Sequence, residues 1–190
     1  MNHTPQIKKA IQFAARKHHG HMRQEVEPLP YITHLFSAAL LVAEGGADDD
    51  IVTAALLHDT IEDTGTTREE IAEAFNERVA ELVVSVSEIK EKDGTKFGWK
   101  ERKADYLVRL EHANDGAVLI ALADKVDNIE SRLEAYELEG ASFLSRWTQP
   151  IESYLWYHGE VARIAESRLP EHPLTKRLIE AHEKERAAFL

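Results

Sequence analysis

One stretch decides how this 190-residue chain folds and what chemistry it carries: Thr53-Ala-Ala-Leu-Leu-His58-Asp59-Thr-Ile-Glu62-Asp63-Thr64. An apolar run, 51–57, leads directly into one imidazole and three carboxylates. Residues three and four apart share one face of a helix, so this spacing predicts that His58 and Asp59 lie beside Glu62 and Asp63. Carboxylates held this close repel one another unless a cation lies between them. The stretch therefore favours a hydrolytic metal site, and a solvated helix end is the alternative on these residues alone.

The composition indicates an ordinary globular protein. Hydrophobic residues make up 43% of the chain and charged residues 30%, with no cysteine, so any metal must be held by nitrogen and oxygen ligands. No apolar run is long enough to span a bilayer, and the N-terminal residues lack the apolar core of a signal peptide, so a cytoplasmic location is expected. The net charge of −11 argues against nucleic-acid binding but not against a small anionic ligand.

The hydrophobic pattern is helical nearly throughout, without convincing strands, and predicts an all-α fold. Caps and Gly/Pro breaks place helices from Pro5 to about His19, Tyr31 to Gly45, Asp48 to Thr64, Thr67 towards Val86, Trp99 to about His112, Ala117 to about Tyr136, Ser142 to Arg168 with a kink at Pro150, and from Pro173 onward. Polar loops are predicted at 21–30 and 88–98. The run 117–123 is apolar all round, which predicts a central, buried helix.

Two further residues complete a candidate metal site. Asp124 directly follows the buried run, where a lone carboxylate is costly unless it is paired or bound to a metal. His34, His58, Asp59 and Asp124 lie on three separate predicted helices, and a helical bundle can project such side chains into one cavity. Two imidazoles and two carboxylates suit Mn, Fe, Co or Zn better than Ca or Cu.

Four segments resemble the HD superfamily of metal-dependent phosphohydrolases, in that family's order. They are Phe13-Ala-Ala-Arg-Lys-His18, Pro30-Tyr-Ile-Thr-His34, 54–64 and Leu122-Ala-Asp-Lys-Val-Asp-Asn128. More closely, they are similar to the hydrolase domain of the RelA/SpoT alarmone enzymes of the stringent response, and to stand-alone small alarmone hydrolases such as the metazoan SpoT homologue. A bare His-Asp pair is weak evidence for this resemblance. The combination of His-Asp-x-x-Glu-Asp with Leu-Ala-Asp-Lys-x-x-Asn is strong evidence for it.

The resemblance implies a bundle of about ten helices with one metal site, formed by a single HD hydrolase domain over 1–190. Residues 1–136 would carry the metal and nucleotide site, and 137–190 would be a helical C-terminal extension packed on it. The reaction would be hydrolysis of the 3′-pyrophosphate of (p)ppGpp, giving GDP or GTP and pyrophosphate. The synthetase half of the long enzymes is absent, so the chain would be a hydrolase only.

The resemblance also assigns roles to individual residues. The metal, Mn²⁺ or another divalent ion, would be held by His34, His58, Asp59 and Asp124; Glu62 and Asp63 would position or deprotonate the attacking water; Arg23 and Asn128 would hold the nucleotide, with Ser131 near the base. Lys17, Arg23 and Lys125 are candidate cations for the pyrophosphate. The basic region 90–103 is either a wall beside the metal site or a solvated surface.

The sequence departs from the family pattern near the predicted nucleotide contacts. Residues 25–29 replace a compact turn, and Gln24 follows Arg23 where a second basic residue is usual. Both changes leave the choice between guanine and adenine open, so (p)ppApp is a second substrate to consider. Another HD phosphohydrolase, such as a nucleoside 5′-monophosphatase or an NADPH phosphatase, and a non-catalytic nucleotide-binding module are the competing functions. Whether the chain forms a homo-oligomer is also open.

Overall fold

The computed structural model describes residues 3–23, 27–92 and 94–190, with Lys92 described by its backbone alone. Within these ranges eleven helices pack into a bundle: α1 Pro5–Lys17, α2 Ile32–Glu44, α3 Asp49–Leu57, α4 Thr60–Thr64, α5 Arg68–Ala74, α6 Glu77–Val86, α7 Trp99–His112, α8 Asp115–Glu139, α9 Ala141–Leu144, α10 Ile151–Arg168 and α11 Pro173–Phe189. The predicted all-α fold of about ten helices is confirmed. In the described ranges no helix is both long and apolar enough to cross a bilayer.

The long helix α8 lies at the centre of the bundle, as the apolar run predicts. It packs against α2, α3, α6, α10 and α11, and Val118, Ile120 and Leu122 are fully buried. Burying each such side chain contributes about 1.5–3 kcal/mol. The helix begins at Asp115, two residues before the predicted start, because the Asn114 side chain caps it by accepting from the Ala117 amide. This buried helix therefore carries Asp124 into the interior.

The helix predicted from Asp48 to Thr64 is in fact two helices, and the prediction of one continuous helix is wrong. The chain leaves α3 at Leu57 and re-enters helical structure at Thr60. Asp59 has φ −93° and ψ −1°, which is outside regular helical geometry. His58 and Asp59 thus lie at a bend between two helices rather than on one helical face. The bend directs both side chains towards the same interior point.

Two other predicted helices are also interrupted. The side chain of Asn76 accepts from the Val79 amide and caps a new helix, α6, so the helix predicted from Thr67 to Val86 ends at Ala74 and restarts at Glu77. The predicted helix 142–168 is separated at 145–150 instead of being kinked. α9 ends at Leu144, and Pro150, which has no N–H to donate within a helix, stands directly before the first residue of α10.

Each predicted polar loop contains a short antiparallel hairpin that the sequence did not reveal. Strands β1 Met22–Arg23 and β2 Leu29–Pro30 pair in the first loop, and β3 Glu91–Lys92 and β4 Thr95–Lys96 pair in the second. Two-residue strands are too short to show an alternating pattern. The first hairpin fixes Arg23 beside the start of α2. Gln24 and the first two residues of the segment 25–29, where the sequence departs from the family pattern, lie outside the described residues.

A buried polar cluster joins the two C-terminal helices. The carboxylate of Glu185 on α11 is fully buried and accepts from Nδ1 of His158 at 2.8 Å and Nδ1 of His182 at 2.7 Å. Burial lowers the pKa of His158 to about 4, against the opposing effect of Glu185. Burial alone would raise the pKa of Glu185, but its hydrogen bonds with the two histidines lower it.

This cluster predicts a loss of stability in mild acid. Between pH 6.5 and pH 4 the unfolded chain protonates His158 while the folded chain does not, so the free energy of unfolding falls as the pH falls. The expected contribution is on the order of 3 kcal/mol. Urea unfolding at pH 7.5, 6 and 4.5 should show a steeper loss for the wild-type chain than for His158→Gln. Parallel losses in the two proteins would show that His158 is not the group responsible.

Candidate metal centre and substrate pocket

The structure brings the four predicted metal ligands together. His34 on α2 and His58 at the α3–α4 bend place their Nε2 atoms 3.2 Å apart. Nε2 of His34 lies 3.6 Å from Asp59 Oδ2 and 3.3 Å from Asp124 Oδ1. Nε2 of His58 lies 3.2 Å and 3.9 Å from the same two oxygens. Donor atoms of His34, His58 and Asp59 fall within 4.8 Å of one another, a spacing that a single ion can bridge.

Hydrogen bonds on the far side of each imidazole fix its orientation. Nδ1 of His58 lies 2.8 Å from the carbonyl of Ala55, and Nδ1 of His34 lies 2.6 Å from Asp127 Oδ2. With the proton on Nδ1, each Nε2 presents its lone pair to the common centre, an arrangement typical of metal-binding histidines. Sequence reasoning did not assign Asp127 a role, although its position three residues after Asp124 on α8 places both on one helical face.

The electrostatics of the cluster also fit a cation. Burial opposes charge on His58, yet Asp59 and Asp124 raise its pKa to about 9. The pKa of His34 is likewise raised against burial, by Asp124 and Asp127. Three carboxylates, Asp59, Asp124 and Asp127, thus favour positive charge at these two buried imidazoles. A divalent ion supplies the same compensation, and the two-nitrogen, two-oxygen donor set suits it.

Glu62 faces this centre, while Asp63 lies further out. Both Glu62 and Asp59 line a cavity of about 110 Å³ beside the imidazoles, and Glu62 Oε1 accepts from the Glu88 amide at 2.8 Å. Burial, followed by the nearby charge of Asp59, raises the pKa of Glu62 to about 7. Asp63 is not among the residues that line this cavity. Glu62 is therefore the better placed of the two predicted acids to exchange a proton near neutral pH.

Two lysines give the small cavity a cationic side. Lys103 on α7 and Lys125 on α8 both line it, and their Nζ atoms lie 4.4 Å and 5.1 Å from the ring centroid of Tyr157. Lys125 pairs with Asp124 and Lys103 with Glu88. The sequence indicated Lys125 through its motif and Lys103 only as part of a basic region. Tyr157, which comes from α10, was not predicted.

The remaining predicted cations lie elsewhere. Lys17 forms an ion pair with Glu70 at 3.3 Å on the surface and lines neither the 110 Å³ cavity nor its larger neighbour. Lys90 approaches Glu62 and Asp63 at 3.9 Å, and Lys100 lies over the Trp156 ring. The side chain of Lys92 is outside the described residues. The basic region 90–103 is therefore not one continuous wall.

A second cavity of about 250 Å³ adjoins the first and shares Tyr31 and Asn128 with it. The predicted nucleotide contacts Arg23, Asn128 and Ser131 all line the larger cavity. Arg23 donates to Asp127 Oδ2 at 2.5 Å and to Asn128 Oδ1 at 3.2 Å. The opposite side of this cavity comes from residues that sequence reasoning missed: Arg132, Phe143, Arg146, Trp147, Thr148 and Tyr154. No short motif marks them.

Comparison with known proteins agrees with the resemblance to the HD superfamily that the four sequence segments indicated. The sequence profile of the HD domain matches residues 10–146. Over 126 residues the chain is 41% identical to the human protein named guanosine-3′,5′-bis(diphosphate) 3′-pyrophosphohydrolase MESH1, covering 65% of this chain and 68% of that protein. The MESH1 protein of Xenopus tropicalis is 38% identical over 159 residues, covering 83% of both chains.

Two further similarities concern a longer protein and a solved structure. The Aquifex aeolicus guanosine-3′,5′-bis(diphosphate) 3′-pyrophosphohydrolase is 41% identical over 132 residues, which cover 68% of this chain but only 18% of that protein. A structure described as a metazoan ortholog of SpoT that hydrolyzes ppGpp aligns with a TM-score of 0.80 and 25% identity, over 97% of both chains.

Proposed function

The chain belongs to the HD domain family, and on that premise we propose that it is a metal-dependent pyrophosphohydrolase acting on (p)ppGpp. It removes the 3′-pyrophosphate to give GDP or GTP and pyrophosphate. The observation that carries this proposal is the convergence of His34, His58, Asp59 and Asp124 on one point, with Glu62 in the same cavity. Names of the relatives support the same reaction.

The four convergent side chains would hold one divalent ion, for which we propose Mn²⁺. When bound, such an ion stabilises negative charge on phosphoryl oxygens and makes a neighbouring water more acidic. Glu62 takes the proton from the attacking water, since its pKa of about 7 lets it cycle between the two protonation states near neutral pH. Asp63 helps to orient that water from the edge of the site.

The substrate occupies both cavities. The small cavity receives the pyrophosphate, where Lys103 and Lys125 offset its charge. The larger cavity receives the nucleoside, which Arg23, Asn128 and Ser131 orient. Lining residues of the larger cavity do not by themselves choose between guanine and adenine, so (p)ppApp is included as a second substrate.

Residues 1–136 and the C-terminal extension 137–190 contribute differently to the proposed site. Residues 1–136 carry the metal ligands, and the extension 137–190 packs on them through contacts of α10 and α11 with α8. Trp147, Tyr154 and Tyr157 from the extension line the two cavities. The extension therefore completes the substrate pocket as well as covering the core.

A product analysis tests the reaction. The metal-loaded protein is incubated with ppGpp, ppApp, NADPH or a nucleoside 5′-monophosphate in Mn²⁺, and the released phosphate species are separated by chromatography. We expect pyrophosphate from ppGpp and loss of that release in chelator. Orthophosphate from NADPH or from the monophosphate, without pyrophosphate from ppGpp, would assign another HD phosphohydrolase activity. Binding of ppGpp without any turnover would indicate a nucleotide-binding module.

A further inference from the structure

The larger cavity is cationic, although the chain as a whole carries a net charge of −11. Three arginines line it, Arg23, Arg132 and Arg146, and no aspartate or glutamate is among the described residues that do so. Two of these guanidinium groups pair with carboxylates just outside the lining, so the local positive charge that the net charge does not reveal comes mainly from Arg132. The ligand of this cavity should therefore be anionic on the side that faces the arginines.

Arg132 differs from the other two arginines in how its charge is balanced. Arg23 pairs with Asp127, and Arg146 forms two hydrogen bonds with the Glu139 carboxylate. Among the described residues no carboxylate lies within 4.0 Å of the Arg132 guanidinium, which is half-buried. Burial lowers the pKa of Arg132, although the charges of Glu185 and Asp124 at longer range act in the opposite direction. A partly desolvated cation of this kind is stabilised by a bound anion.

Aromatic rings and a histidine fix the position of this guanidinium. Its central carbon lies 5.1 Å from the ring centroid of Trp147 and 4.6 Å from that of Tyr154. Nη1 of Arg132 lies 3.5 Å from Nε2 of His158, and the Glu185 carboxylate accepts from Nδ1 of the same imidazole. These contacts orient the charge without neutralising it. Arg132 is thus preorganised for a ligand.

The location of Arg132 identifies which part of the substrate it meets. Both cavities share Tyr31 and Asn128, so a nucleotide with its 3′ group at the metal centre extends past these residues into the larger cavity. The anionic group at the other end of such a nucleotide is its 5′-phosphate. Resting on the proposed function, we propose that Arg132 binds the 5′-phosphates of the substrate and selects nucleotides that carry them.

Substrates that differ only at the 5′ position test this proposal. Guanosine 3′-pyrophosphates with a 5′-hydroxyl, 5′-monophosphate or 5′-diphosphate are compared in the wild-type protein, Arg132→Gln and Arg132→Lys. We expect KM for the 5′-diphosphate substrate to rise about 10- to 100-fold in Arg132→Gln with little change in kcat, since a charged hydrogen bond is lost. KM for the 5′-hydroxyl substrate should not change. Arg132→Lys should give an intermediate KM for the 5′-diphosphate substrate, because lysine keeps the positive charge but cannot form two parallel hydrogen bonds to a phosphate as the planar guanidinium can.

The matched control is Arg163→Gln, because Arg163 makes exposed ion pairs with Glu111 and Glu160 and lines neither cavity. It should leave all three KM values unchanged. An equal loss on all three substrates in Arg132→Gln would assign Arg132 to the nucleoside or to the fold and overturn the proposal. So would a wild-type protein that handles the 5′-hydroxyl and 5′-diphosphate substrates with the same KM, a result that needs no variant.

A binding measurement separates this proposal from the hydrolase assignment. Calorimetric titration with GDP and with guanosine requires no turnover. Tighter binding of GDP by the wild-type protein, lost in Arg132→Gln, would support the 5′-phosphate site even if no substrate were hydrolysed. Pyrophosphate release from ppGpp with equal affinity for GDP and guanosine would instead retain the hydrolase and reject the role of Arg132.

Discussion

Replacing Asp59 by alanine is expected to abolish both metal binding and hydrolysis. Asp59 supplies one of the four converging donors and lies 3.2 Å from Nε2 of His58. Its removal leaves two imidazoles and Asp124, with one negative charge fewer to attract a divalent ion. Because metal-ion catalysis supplies several kcal/mol of transition-state stabilisation, kcat/KM for ppGpp should fall at least about a thousandfold.

The measurement pairs metal content, by mass spectrometry of the purified protein, with pyrophosphate release. Asp49→Ala is the matched control, since Asp49 stands in the first turn of α3 and the metal site lies beyond the other end of that helix. It should retain one metal ion per chain and near wild-type turnover. An Asp59→Ala protein that keeps stoichiometric metal would contradict the assignment of Asp59 as a ligand.

Glu62→Gln is expected to separate metal binding from catalysis. The glutamine side chain has the same shape and can still accept the hydrogen bond that Glu62 receives from the Glu88 amide. It cannot take a proton from water, so kcat should fall about 10²- to 10⁴-fold, the usual contribution of a general base. The metal content should stay at one ion per chain.

Glu69→Gln provides the comparison for this variant, because Glu69 is exposed in the first turn of α5 and lines neither cavity. Its kcat should match that of the wild-type protein. Near-normal turnover in Glu62→Gln would show that Glu62 is not the general base and would leave Asp63 as the remaining predicted candidate. Loss of the metal in Glu62→Gln would show that Glu62 is a ligand rather than a base.

The parts of this fold that could be predicted are those encoded in local sequence. Uninterrupted apolar residues before Asp124 predicted a central helix, and every residue of the run 117–123 is buried except the half-buried Leu119. The Thr67–Glu70 capping box was also correctly assigned, since both of its reciprocal hydrogen bonds form. Local patterns of this kind reflect helix geometry and backbone hydrogen bonding, which need no knowledge of distant residues.

The breaks within helices could not be predicted with the same reliability. Apolar residues continue on both sides of each break, at Leu57 and Ile61 and at Ala74 and Val79, so their spacing does not mark either break. The bend at His58 and Asp59 places two ligands in the site at once, and regular periodicity does not encode it. Asn76 was a local signal that could have been used, since asparagine is a preferred N-cap.

The pocket beyond the motifs depended on tertiary packing. Tyr154 and Tyr157 reach the cavities because α10 packs against α7 and α8, and Trp147 reaches the larger cavity from the link that precedes α10. In the sequence these aromatic residues are typical of core positions. Lys17 illustrates the converse, since its place in a family-like segment suggested a substrate contact whereas its side chain pairs with Glu70 on the surface.

Crystals soaked in Mn²⁺ and measured at the manganese absorption edge would test the central claim most directly. The claim requires a single anomalous peak within about 2.5 Å of donor atoms from His34, His58, Asp59 and Asp124, the range for divalent ions bound by nitrogen and oxygen. No peak at this position, with the four side chains turned away from one another, would contradict it.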